Sequence, residues 1–488
     1  MQVPSPSRRT NIFHFVRLDN GMDGPVMVQC YSMLSDTVDG GYAWVIVAAV
    51  FTVHFFILGT IYTFGFFYTE YLDAFDDTKG GEIAWVGSIC AGSTLAFAGY
   101  TGAMADRYGN GKCICIGGMV VFISLMLASL ATEVWHLFVT QGLMCGLGYS
   151  LSFVGAISVM DQWFDRRRGL GVGIAVSGSG FGQVGLAPIT SQLLRSQGWR
   201  RTLRWLAFLT AVGIITSGFF VKRRIPLVSY SKPRSFLTKL RHHFSNKNFT
   251  VMYAAMFLTS MGYMMPFTHI VKYAEIVGIS SSRAVLIVSL IGMSSAIGRT
   301  SLGQVADRCN RLTTFRVCLF MGGVATFAWI ACREFSTLVV YAVLFGYFAG
   351  GFVSLQPVVC SELFQGQDMG EVMGLVYTSS TAGNLFSAPL GGVLYDVTGG
   401  YTLSIVVAGV FMTLGSILTV WLRVPVLRKL SVHDDMFEEQ NQKEFELIPT
   451  AVVSDMNDLN SSSHGNGDAG NSHRSRLIED GTLNSSSA

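Results

Sequence analysis

The phrase Gly102-Ala103-Met104-Ala105-Asp106-Arg107 returns 201 residues later as Gly303-Gln304-Val305-Ala306-Asp307-Arg308, each copy closing an apolar segment. A chain that repeats its charged punctuation at so long a period is built from two equivalent halves. Many secondary carriers are built from such duplicated halves, which rock around a site near the bilayer midplane. Composition agrees with a bilayer as solvent. Half of the 488 residues are hydrophobic, 13% are charged and the mean hydropathy is +0.44, poor values for a soluble chain of this length.

A spanning helix needs roughly 20 mostly apolar residues. Twelve stretches meet that need, near 43–67, 82–105, 113–132, 135–160, 169–192, 203–221, 249–274, 284–305, 313–332, 337–360, 370–394 and 402–422. The 54 glycines sit largely inside them, where small residues let helices approach closely. The expected architecture is an all-α membrane protein with a six-helix bundle over 37–221, a basic linker over 222–248 and a second six-helix bundle over 249–425. Residues 1–36 and 426–488 read as disordered tails, the second rich in Ser, Asn, Gly and acids with almost no aromatic content.

Lys and Arg in the short loops set orientation. The linker carries Lys222, Arg223, Arg224, Lys232, Arg234, Lys239, Arg241 and Lys247 without an acid, and Arg107, Lys112, Arg166, Arg167, Arg168, Arg308 and Arg311 fall on the same side. That side is predicted to be cytoplasmic, and an even number of spans places both termini there. The opposite side begins with Glu70, Asp73, Asp76, Asp77 and Glu82, with Arg195, Arg200, Arg201 and Arg204 as a basic exception. The start lacks a cleavable signal peptide's apolar stretch. Nine cysteines show neither a disulfide framework nor metal spacing. No metal, cofactor or nucleic acid is expected. Phosphate loop, nucleophile elbow and His-Glu-x-x-His are all missing from the sequence, so the chain is not read as an enzyme.

Asp39-Gly40-Gly41-Tyr42-Ala43-Trp44, just before the first span, resembles the signature of the monocarboxylate transporter family, a branch of the major facilitator superfamily. Phe64-Gly65-Phe66-Phe67 with Glu70, the run Trp163 to Leu170, Gly262 to Phe267 with His269, Gly298 to Gly303 and Leu394 to Tyr401 resemble further family stretches, so the likeness covers about 37–425. The resemblance implies the superfamily's twelve-helix fold with two pseudo-symmetric bundles, cytoplasmic termini and movement of a small carboxylate, often with protons. It also implies residence most often at the plasma membrane, in some members beside a single-span accessory glycoprotein. Two family residues do not carry over. Tyr62 stands where the best-studied members have a lysine, and Ser295 where they have an acid one turn before the arginine of the eighth helix; Arg299 matches that arginine.

Arg299 is the sharpest residue in the chain. A guanidinium inside an apolar span costs a few kcal/mol at least unless it faces a watery path or a partner, and its planar fork suits a carboxylate. It reads as an anion anchor; the competing reading is a cation snorkelling to the interface, about six residues or ~9 Å of helix rise away. Tyr62, Thr63, Tyr263, Met264, Phe267, Tyr377, Asn384 and Phe386 are expected to supply aromatic walls with a few hydrogen-bonding groups around it, a setting that fits an organic anion or zwitterion larger than lactate.

Proton coupling needs a group that titrates in the path. His54, Glu70 and His269 are the candidates, with His54 or Glu70 substituting for the missing acid. Asp106, Arg107, Asp307 and Arg308 read as gates in which a carboxylate faces a helix N-terminus and an arginine holds the neighbouring helix. Asp39 is expected to stabilise the start of the first helix and Trp44 to anchor it at the interface. Two functions follow: a secondary carrier of an organic monocarboxylate or related solute, or a non-transporting nutrient sensor or accessory protein on the same fold.

Overall fold

The computed structural model describes residues 16–17, 27–28, 38–75, 80–224, 236–365 and 368–424; the expected tails lie almost wholly outside the described residues. Eight described helices are long and apolar enough to cross a membrane, nine when Glu82–Ala96 and Ala98–Tyr108, bent by 47°, form one crossing. Arg168–Phe220 counts twice. Its 53 residues would make about 80 Å of helix, more than double the ~30 Å hydrocarbon layer, and Gly198 at φ 73° and ψ 169° breaks it. Lys247–Ile276 and the broken pair Met369–Thr378 and Thr381–Thr398 complete twelve spans.

In chain order span 1 is Tyr42–Ala74, interrupted at Thr63; span 2 is Gly80–Ala96 with Ala98–Tyr108; span 3 is Asn110–Ala128; and span 4 is Val134–Trp163, with a π-helical turn over Phe138–Met144. Spans 5 and 6 are 168–197 and 199–220, and spans 7 and 8 are Lys247–Ile276 and Ser281–Arg308. Spans 9 and 10 are Arg311–Ala331 and Phe335–Leu363, span 11 is the Met369–Thr398 pair, and span 12 is Thr402–Trp421.

The expected gap between spans 5 and 6 is helical on both sides of Gly198. Only a residue without a Cβ takes that backbone conformation cheaply, so one glycine does the work of a loop. The basic exception beside it has a local cause. Arg200 donates to the carbonyl of Ala131 at 2.7 Å and lies over the Trp199 ring, while Arg204 donates to Ser129 Oγ at 3.1 Å. Both cations thus meet the end of span 3, where the helix dipole favours positive charge. Within the expected N-terminal tail, Val16–Arg17 pairs antiparallel with Met27–Val28. In the linker, Phe236–Ser245 is helical, and the Asn246 side chain caps span 7 by accepting from the Asn248 N–H.

The two bundles, spans 1–6 and 7–12, meet along span 5 against span 8 and span 2 against span 11. Both crossings rest on glycine. A Cβ added to Gly102 would lie 1.9 Å from the Gly370 carbonyl oxygen, and one added to Gly303 would lie 2.2 Å from that of Gly169. One turn further in, Gly173 receives the carbonyl of Arg299 and Gly374 that of Ala98. Each of these glycines and its counterpart differ by the 201 residues that separate the repeated phrases, as do Pro188 and Pro389. The duplication is therefore present in the packing as well as in the text of the chain.

Candidate functional site

Arg299 lies on span 8 where that helix crosses span 5 of the other bundle. It is only 4% exposed. Its Nη1 donates to the Val176 carbonyl at 3.0 Å and to the Ser179 hydroxyl, while its buried Nε has no protein partner. The side chain faces neither lipid nor the basic face. His54 and Tyr62 of span 1 and Tyr263 of span 7 all stand within electrostatic reach of the guanidinium. Four groups from three helices and both bundles thus converge.

His54 is wholly buried. Its Nδ1 bonds the Val50 carbonyl at 2.9 Å, its Nε2 has no protein partner, and its ring lies 5.2 Å from that of Phe153. Phe153 of span 4 in turn meets Tyr377 of span 11 edge-on at 5.0 Å, an aromatic bridge between bundles. Tyr263 packs on Phe267 and Phe352, each at 5.1 Å. Ser295 is buried with its hydroxyl unpaired within the protein. Tyr62 is 39% exposed at the break in span 1.

Other expected site residues stand apart. Asn384 bonds the Ser380 carbonyl of its own helix, and Phe386 is 54% exposed. His269 packs beside Gly391 and Tyr401, with Nδ1 3.4 Å from the Tyr401 hydroxyl, within the second bundle. Glu70 is half-buried near the end of span 1.

On the basic face the two aspartates bind opposite bundles. Asp106 accepts from the N–H groups of Gly370 at 3.2 Å and Glu371 at 2.7 Å, at the start of span 11. Asp307 accepts from those of Gly169 and Leu170, both at 2.8 Å, at the start of span 5. A carboxylate on the unsatisfied N–H groups of a helix start is stabilised by both hydrogen bonding and dipole. The arginine that holds the neighbouring helix is a different one from that expected. Arg308 is exposed, and Arg107 lies over its neighbour Tyr108. Arg311 instead bonds Asp307 and Glu362, each at 3.0 Å, and reaches the carbonyls of Asp165 and Arg166 in the other bundle. In the first bundle Arg223 donates to the carbonyls of Ala105 and Asp106.

Asp39 corrects a second expectation. The start of span 1 has no side-chain cap; the Asp39 carboxylate accepts instead from the N–H groups of Asp165, Arg166 and Arg167 at 2.9–3.1 Å. Its φ of 64° turns the chain so that Gly40 and Gly41 follow into the helix. Trp44 likewise packs edge-on against Phe164 at 5.5 Å, and Tyr42 lies 5.4 Å from Trp163. The stretch before span 1 is therefore a clasp on the turn that opens span 5. A further contact was not foreseen: His243 of the linker helix bonds the buried Glu371 carboxylate at 3.1 Å. No group of three or more metal-binding side chains occurs among the described residues.

Known proteins share this architecture. The chain is 29% identical over 388 residues to Monocarboxylate transporter 13 of Rattus norvegicus, covering 78% of this chain and 88% of that one. It is 29% identical over 422 residues to Monocarboxylate transporter 12-B of Danio rerio, covering 78% and 87%. Among solved structures, the transporter FucP in its outward conformation covers 78% of this chain and 100% of its own at a TM-score of 0.65 and 12% identity. The human organic anion transporter MFSD10 covers the same shares at 0.62 and 16%. The family model described as Major Facilitator Superfamily matches residues 50–333 and 302–459. With two glycine-crossed bundles, twelve spans and a match over most of its length, the chain belongs to the Major Facilitator Superfamily and within it is similar to the monocarboxylate transporters.

Proposed function

We propose that this protein is a secondary carrier of small organic carboxylates that works by alternating access at the plasma membrane, with its basic face and both termini in the cytoplasm. One observation carries the reading: a buried guanidinium at the seam between the bundles keeps an unpaired Nε. Burying an arginine without a full set of acceptors is costly, and a carboxylate supplies what is missing. The names of the relatives support the same solute class. The aspartate contacts on the basic face support a state closed on that side, and their breakage would open it.

His54 is the preferred proton site, since one of its ring nitrogens has no protein partner and a carboxylate bound at the neighbouring Arg299 would offset the positive charge that otherwise opposes its protonation. Uptake would then rise with an inward proton gradient, and His54→Gln would flatten that response. The test is uptake into proteoliposomes of a panel of carboxylates, aromatic amino acids and vitamins, with and without a pH gradient, alongside surface labelling in cells. Arg299→Ala and Arg299→Lys are expected to abolish carboxylate uptake while surface expression persists; normal uptake by both would overturn the proposal. Binding without net flux would favour the sensor reading.

A further inference from the structure

The guanidinium of Arg299 is not equally available on all sides. An arginine offers a carboxylate two forks, one end-on through Nη1 and Nη2 and one side-on through Nε and Nη2. Nη1 donates to both the Val176 carbonyl and the Ser179 hydroxyl. The end-on fork is therefore closed. Nε is buried and has no protein partner, so the side-on edge is the less occupied one, with the Tyr263 hydroxyl near enough to the guanidinium to turn toward an arriving anion.

We infer that the solute's carboxylate docks side-on against Nε and Nη2 of Arg299, and that Ser179 is the positioning residue that turns this edge toward it. The inference rests on Arg299 being the anchor. Ser179 is fully buried on span 5, its own hydroxyl donating to the Val176 carbonyl. Its oxygen is thereby oriented as an acceptor for Nη1. The anchor on one bundle is aimed by a hydroxyl on the other, so binding geometry depends on the bundles being in contact at this crossing. A carrier that releases its solute when the bundles separate needs that dependence.

The test uses the full chain in lipid nanodiscs, with thermal stabilisation read for a series of monocarboxylates from acetate to benzoate and for the matching primary amides. The wild type is expected to be stabilised by at least one acid and not by its amide. Ser179→Ala is expected to weaken that acid about tenfold, to narrow the acid-to-amide preference and to leave the unliganded melting temperature within a degree or so, since its hydrogen bonds are few. Ser179→Thr, which keeps the hydroxyl, is expected to restore acid binding. Undiminished acid binding in Ser179→Ala, with loss in Arg299→Ala, would overturn this inference and leave the anchor standing. No stabilisation of the wild type by any acid, or binding retained in Arg299→Ala, would overturn the anchor and this inference together.

Discussion

Asp106 and Asp307 bind equivalent places on opposite bundles: the N–H groups of Gly370 and Glu371 for the first, and of Gly169 and Leu170 for the second. All four partners and both carboxylates are related by one 201-residue step. Replacing either aspartate with alanine is expected to loosen the basic face, since hydrogen bonds to a charged group contribute about 1.5–3 kcal/mol each. Spin labels at exposed Tyr108 and Arg308 would report it as a broadened and lengthened distance distribution, largest in the double variant.

Gly102 allows the crossing to close. With a Cβ only 1.9 Å from the Gly370 carbonyl, Gly102→Ala is expected to fold but to hold spans 2 and 11 apart, abolishing transport. Gly65, with nothing within 4 Å of an added Cβ, is the control. Gly65→Ala is expected to be neutral or to stabilise its helix by about 0.5–1 kcal/mol, read as melting temperature and uptake.

The two aspartate contacts on the basic face differ in strength. Arg311 ties Asp307, Glu362 and the other bundle's backbone together, whereas the equivalent position in the first repeat is Asn110, whose amide bonds Gly155 and Ser158 within its own bundle. Arg311→Ala is expected to cost about 1.5–3 kcal/mol, the scale of a hydrogen bond to a charged group at a partly buried site. Arg311→Lys would recover little, because a single ammonium cannot span the acceptors a fork reaches. Denaturant or thermal unfolding in detergent would rank the three proteins.

Asp39 holds three successive N–H groups in a backbone conformation with φ near 64°. Asp39→Asn keeps an acceptor and tolerates positive φ, so its cost is expected to be small. Asp39→Val loses both and is expected to free the turn at Arg166 and Arg167. Trypsin digestion of the two variants in nanodiscs would show faster cleavage there only for valine.

His243 bonds Glu371, whose N–H is itself held by Asp106; Arg223 and Asp368 stand near the Asp106 carboxylate, and His242 lies beside His243. The contact ties the linker helix to the start of span 11, so removing it is expected to loosen the basic face. The spin-label distance is expected to be longer in His243→Ala than in the wild type.

Sequence reasoning reached the parts of this protein that are written locally. The repeated phrase pointed to Asp106 and Asp307, and the cost of a charge in an apolar stretch singled out Arg299. It missed what depends on distance along the chain. Asp39 meets partners 126–128 residues away, and nothing in the signature names them. Arg308 belongs to the repeated phrase, whereas Arg311 opens the next helix and is folded back onto Asp307 only by the turn at Cys309 and Asn310, which the repeat does not show; Asn110 is its weaker twin. The link from His243 to Glu371 joins a linker to a span 128 residues on, beyond any local pattern.

Gly198 joins spans 5 and 6 by a single non-helical residue, and the arginines just after it grip the end of span 3. Such a joint has no slack. A tilt of span 5 at its crossing with span 8 is therefore expected to reach span 3 as through a stiff elbow, with no loop between to absorb it.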